Sequence, residues 1–220
     1  MRPAEQLRPD LGLQQLVDEV AQPPWYTARG VADPQPSDHD LLAGWRAGDL
    51  AQGDALVTRH WASIARFFRS KIGDDGADLI SQTFLACVEH KDAIEHVRPF
   101  LFAVARRRLA DHLRARAKAP ELDLALSSLA DLGPGPVTEL GARERRELLQ
   151  AALARIPIDD QIALELAYFE GMESDDIARV LEINANTVRS RLSRARDKLR
   201  AALAELADPE TAALAESQLG

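Results

Sequence analysis

The chain has 220 residues with a formal net charge of −8, and 46% of its residues are hydrophobic, 28% charged and 5% aromatic. That is enough apolar material for one large domain or two small ones, and too little charge bias for a wholly disordered chain. A single cysteine, Cys87, excludes an intramolecular disulfide, cysteine-based zinc sites and CxxC redox chemistry. The opening MRPAEQLRPD lacks the apolar stretch of a signal peptide, and no run approaches membrane-spanning length. A soluble, cytoplasmic protein without membrane insertion is therefore expected.

The abundance of Ala, Leu and Arg favours helices. Half of the twelve prolines fall in the first 36 residues, so 1–36 reads as a mostly irregular extension with one short amphipathic helix near Leu11–Val20. Ser37 or Asp38 has the character of an N-cap, and helical periodicity then runs to Lys118. Leu41, Leu42 and Trp45 mark one apolar face; Leu56, Val57, His60, Ile64 and Phe67 or Phe68 mark the next. After the turn Gly73–Gly76, Leu79, Ile80, Phe84 and Val88 open another helix, and Leu101, Val104, Ala105 and Leu109 continue beyond Pro99. The pattern dissolves over 119–141, where Pro134-Gly135-Pro136 marks a linker. It resumes with Leu148, Leu149, Leu153 and Ile156, then Ile162, Leu166 and Phe169, with Gly171 as a stop. No alternating strand pattern occurs. The expected fold is all-α: two small helical domains, 37–118 and 142–206, joined by a flexible linker at 119–141, with a tail at 207–220.

The charge is unevenly placed. Residues 98–118 carry a net +6 and residues 184–200 a net +5, leaving −19 on the rest. Two compact basic stripes on an acidic body suit local phosphate contacts. Within the second stripe, Ile177, Ala178 and Leu181 form the buried face of a short helix, Glu182-Ile183-Asn184 a tight turn, and a basic helix follows. That is a helix-turn-helix layout, whose second helix lies in the major groove. At about 100° per residue, Val188, Leu192, Ala195 and Leu199 fall within an arc of about 60° and face the core. Asn186, Ser190, Ser193 and Arg194 project opposite, flanked by Arg189, Arg191, Arg196 and Lys198. Short polar groups with one Arg suit base edges, and the flanking guanidinium groups suit phosphates. Asn186 or Asn184 can cap this helix.

TVRSRLSRARDKLR, preceded by YFEGMESDDIARVLEI, resembles region 4 of the sigma-70 family, in particular the short extracytoplasmic-function sigma factors. The resemblance implies that this region reads the minus-thirty-five promoter element through Arg189, Ser190, Ser193 and Arg194, with Asn186, Thr187, Arg191 and Arg196 beside them. LLAGWRAGD at 41–49 is similar to the opening of region 2 of the same family. DLISQTFLACV at 78–88 is similar to the segment that docks on RNA polymerase, which implies roles for Asp78, Leu79, Gln82, Thr83 and Phe84. RPFLFAVARRRLADHLRAR at 98–116 is similar to the helix that recognises the minus-ten element and helps open the duplex, implying roles for Arg98, Arg106, Arg107 and Arg114. In the family, an extruded base is held beside the loop before this helix, here His90–Pro99. Phe100 or Phe102 could stack on it, although helical spacing favours the core for both. The sequence departs from the family pattern at Thr83 (commonly Glu), Arg107 (commonly Asn) and Asn186 (usually Gly).

The implied function is an alternative sigma factor that binds core RNA polymerase and promoter DNA, assists strand opening and is restrained by an anti-sigma factor. Two rivals are a mimic that titrates an anti-sigma factor, which would not need its basic face, and a stand-alone helix-turn-helix regulator, which would need a dimer helix not evident here. No cofactor, metal site or catalytic residue is expected. Asp74, Asp75 and Asp78 lack the alternate-position oxygens of a calcium loop, the five histidines show no paired-ligand spacing, and there is no phosphate-binding GxxxxGK[ST] loop. Cys87 reads as a small buried residue, and Trp25-Tyr26 as a possible anchor for the extension.

Overall fold

A computed structural model describes residues 36–117 and 148–207. The short helix expected near residue 15, the 119–141 linker, Trp25-Tyr26 and the C-terminal tail lie outside the described residues. Every element among the described residues is helical, with no strand, in agreement with the all-α expectation. The described chain falls into two compact units, one formed by 36–117 with 173–188 and the other by 148–172 with 189–207.

In the first unit, α1 (Asp38–Arg46) starts at Ser37. The Ser37 hydroxyl accepts from the Asp40 amide at 3.1 Å, and Asp40 accepts from the Ser37 amide at 3.1 Å, a reciprocal capping box. Gly48, at φ 102°, reverses the chain in a conformation that side chains resist. Asp49 then caps α2 (Leu50–Ile72) by accepting from the Ala51 amide. Gly53 is required by close approach, since a Cβ there would lie 2.6 Å from the Trp45 ring. A short turn over Gly73–Gly76 leads to α3 (Ala77–His90), and 91–96 lead to α4 (Val97–Ala117). Leu41, Leu42, Trp45, Leu56, Ile64, Phe67, Phe68, Phe84, Leu101, Phe102 and Leu109 are all buried. Phe67 meets Phe68 and Phe102 edge-on at 5.4 and 5.7 Å, the arrangement that ring quadrupoles favour. Burying each such side chain is worth roughly 1.5–3 kcal/mol.

One polar clamp fixes α1 on α2. The Asp38 carboxylate accepts from Arg59 at 2.8 Å and pairs with the Nε2 of buried His60 at 2.8 Å. Burial alone would raise the Asp38 carboxyl, but the hydrogen bonds and charges of His60 and Arg59 outweigh it and bring it down to about 2.

The second unit contains the helical segment 148–154, α5 (Ile158–Leu164) with its wider last turn Glu165–Phe169, and the long helix α7 (Ala185–Ala207) from Arg189 onward. Leu149, Leu153, Ile162, Leu166, Ala195, Leu199 and Leu203 are buried. Lys198 donates to Asp160 at 2.6 Å, Arg191 pairs with Asp159 at 3.5 Å, and Arg155 pairs with Glu205 at 3.4 Å.

α6 (Ser174–Leu181) groups with the first unit and packs against α4. Its apolar stripe also includes Val180. Between 38 and 117 the helices are separated at 47–49, at the expected turn 73–76 and at 91–96, within the expected loop His90–Pro99. Val88, expected in the core, is 47% exposed, since α3 turns its Phe84 and Cys87 side inward.

Candidate nucleic-acid interface

The turn into α7 is built by local chemistry. Glu182 takes a left-handed conformation (φ 57°, ψ 41°) that ends α6, and the Ile183 amide donates to Ala178 O at 3.1 Å. Asn184 supplies the cap of α7. Its Oδ1 accepts from the Thr187 amide at 2.7 Å and from the Thr187 hydroxyl at 2.8 Å, which leaves Asn186 outside the cap. Beyond it, Asn186, Arg189, Ser190, Ser193, Arg194 and Arg196 are all exposed, while Val188, Ala195 and Leu199 are buried on the opposite side. Two expected contact residues are otherwise engaged. Thr187 is half-buried and serves the cap, and Arg191 is turned to Asp159. Lys198 is likewise held by Asp160. These pairs fix how far α7 is rolled, and so which arginines face outward.

α4 presents a different surface. Arg107 and Arg114 are exposed, whereas Arg98 and Arg106 are half-buried, as are Ala103 and Ala110 on the side expected to be open. α6 packs against α4, and Arg107 donates to Glu182, the residue that ends α6, at 2.8 Å. Arg114 pairs with Asp111 at 3.1 Å, and Arg116 with Asp75 at 2.8 Å. Asp75 is thereby part of an ion pair, and no group of three or more potential metal ligands occurs among the described residues.

The two phenylalanines on α4 separate cleanly. Phe102 is 1% exposed and belongs to the core, while Phe100 is half-buried and meets His90 edge-on at 6.4 Å. These two rings line an open cleft of about 430 Å³ between the end of α3, Ala93 in the connecting loop and α4, with Val104, Arg107, Arg108 and Asp111 along its α4 wall. His90 opens the loop expected beside an extruded base, and Arg108 and Asp111 are additional to the expected contacts. On α4 the latter two follow Val104 at i+4 and i+7, one face of a helix, and that spacing was the available signal.

On α3, the five expected docking residues divide. Asp78 is exposed, Gln82 is half-buried and donates to Asp78 at 2.6 Å, and Leu79 is half-buried. Thr83 and Phe84 are buried, the Thr83 hydroxyl donating to Leu79 O at 2.7 Å. The outward face instead carries Leu85 and Val88, with Trp61 of α2 stacked on Phe84 at 5.4 Å and itself 47% exposed. Single exposed apolar residues are ordinary; several together mark an interaction surface.

A capped helix-turn-helix with an outward basic face, on an all-helical scaffold, defines a helix-turn-helix protein of the nucleic-acid-binding class. The family model described as "Sigma-70, region 4" matches residues 146–199. RNA polymerase sigma factor NccH of Alcaligenes xylosoxydans xylosoxydans is 32% identical over 76% of this chain and 96% of its own length. The ECF RNA polymerase sigma factor SigM of Mycobacterium tuberculosis is 31% identical over 74% of this chain and 83% of its own. Among solved structures, CnrH in complex with the cytosolic domain of CnrY matches with a TM-score of 0.57 at 23% identity, over 76% of this chain and 96% of that one. The sigma factor RpoE of Bartonella quintana, in complex with the anti-sigma factor NepR, matches with a TM-score of 0.56 at 21% identity, over 68% of this chain and 95% of that one. The chain belongs to the extracytoplasmic-function group of the sigma-70 family of RNA polymerase sigma factors. It is an alternative sigma factor, and the relatives it matches are not enzymes.

Proposed function

We propose that this sigma factor works through three separate surfaces. The exposed face of α7 reads the minus-thirty-five duplex, with Ser190, Ser193 and Arg194 toward base edges and Arg189 and Arg196 toward phosphates. Asn184 leaves the positive end of α7 free to face the DNA backbone. The arginines of α4 hold the opened minus-ten strand, and the cleft beside Phe100 receives an extruded base, because unstacking a base is offset by stacking and hydrogen bonds in a pocket. Asp78, Gln82, Leu85, Val88 and Trp61 form the surface that docks on core RNA polymerase. Work on the promoter places the protein in the cytoplasm, and no helix among the described residues is long and apolar enough to cross a membrane. A restraining anti-sigma partner fits the company kept by its structural relatives, CnrH with CnrY and RpoE with NepR.

The observation that carries this reading is the one-sided build of α7, where polar and basic groups stand opposite a buried Val188–Ala195–Leu199 stripe. It is tested by run-off transcription with purified core polymerase and a pool of promoter fragments. The expected result is a discrete set of start sites that appears only when this chain is added; no holoenzyme, or no start site, would refute it.

A further inference from the structure

The cleft between α3 and α4 has more chemistry than stacking needs. Its two rings, His90 and Phe100, form an edge-to-face pair, and a cleft of about 430 Å³ has room for a two-ring base. Beside them a cation and an anion stand one turn apart on α4, the helix that also carries Phe100. Arg108 is exposed and has no hydrogen bond or ion pair among the described residues, whereas neighbouring Arg107 is engaged by Glu182. Asp111 gives one lone pair of Oδ1 to Arg114 at 3.1 Å, which leaves Oδ2 and the second lone pair of Oδ1 to accept from donors in the cleft.

Bases differ in what they offer to such a pair. Guanine alone presents two adjacent acceptors, O6 and N7, and two adjacent donors, N1–H and the N2 amino group. A guanidinium group donates well to O6 and N7, and a carboxylate can accept only from N–H groups. Thymine has a single N–H and no amino group. Cytosine and adenine each bring an amino group without a neighbouring ring N–H.

We infer that this cleft selects guanine at one position of the opened non-template strand, with Arg108 donating to O6 and N7 and Asp111 accepting from N1–H and N2–H. The inference rests on the reading that the cleft holds an extruded base. Both residues are exposed on a helix whose core side is Leu101, Phe102, Ala105 and Leu109, so neither is needed for folding.

The test uses holoenzyme assembled from the full chain and core polymerase, on a fork-junction form of a promoter recovered by run-off selection. Each position of the downstream element on the non-template strand is replaced in turn by the four bases, inosine and an abasic site. At one position guanine should bind about 5- to 150-fold better than adenine, cytosine or thymine, the range of one good bidentate contact. Inosine, which lacks the N2 amino group, should fall between. Asp111→Ala should abolish the guanine–inosine difference, and Arg108→Ala should abolish the loss seen when 7-deazaguanine, which lacks only the N7 acceptor, is placed at that position. A position where the abasic site weakens binding but guanine is not preferred would overturn the selectivity and leave base capture standing. No position sensitive to base removal would overturn base capture itself. A guanine preference unmoved in both variants would remove Arg108 and Asp111 from the assignment.

Discussion

α4 and α7 are both long helices dense in arginine, yet they are packed in different ways. α7 buries Val188, Ala195, Leu199 and Leu203 along one side and leaves its opposite face open. α4 is touched by α2, α3 and α6, so its arginines are divided among a cleft wall, an ion pair with Glu182 and partly covered positions. Similar charge therefore does not make similar sites. A helix with one buried face suits an intact groove, where a row of side chains meets base edges together. A helix bordered by a cleft suits a strand whose bases can leave the stack.

The sharpest way to break this comparison is at the two phenylalanines of α4. Phe102→Ala should cost about 3–5 kcal/mol of unfolding free energy in urea titrations, as expected for a fully buried aromatic. Phe100→Ala should cost far less stability while weakening binding to opened DNA. Equal losses of stability would erase the distinction between core and cleft. On α7, Arg194→Ala should lower the affinity of the holoenzyme for the upstream element by about 1–3 kcal/mol, with unchanged melting temperature. A loss that is the same for every upstream sequence would make Arg194 a phosphate contact instead of a reader.

Smaller effects refine the scaffold. Because the Asp38 carboxyl sits at about 2 when folded, below its ordinary 3.8, its stabilisation is complete above about pH 3.8 and is lost as pH falls toward 2. Asp38→Asn should cost on the order of 1 kcal/mol at neutral pH and flatten the stability curve across that window. An unaltered acid limb in the variant would show that the clamp with His60 and Arg59 is not what titrates there. Glu182→Gln, which removes the exposed ion pair with Arg107, should change stability by only about 0.2–1 kcal/mol, an effect that salt abolishes.

Much of this was legible in the chain. The helical period places the core at Leu41, Leu42, Leu56, Ile64, Leu101 and Leu109, all buried, and turns Asn186, Ser190, Ser193 and Arg194 outward on α7, where all four are exposed. What escaped the sequence depended on partners distant along the chain. Nothing local marks Arg191 as the partner of Asp159, or says that α6 packs against α4. Thr83 and Phe84 lie inward on α3, since a helix must turn some positions of such a segment to the core to hold itself in place. Between Asn184 and Asn186 only the turn geometry could choose the cap, because both are suitable residues two positions apart.

The central claim, that α7 serves closed duplex and α4 serves opened strand, is tested most directly by run-off transcription on one promoter in two forms, fully paired and pre-opened by a mismatched bubble across the downstream element. Arg107, Arg108 and Arg114 changed together to Ala should depress transcription from the paired template and recover substantially on the bubble. Arg189→Ala with Arg194→Ala should depress both forms alike. Equal rescue of the two sets of variants by the bubble, or of neither, would contradict the division of labour.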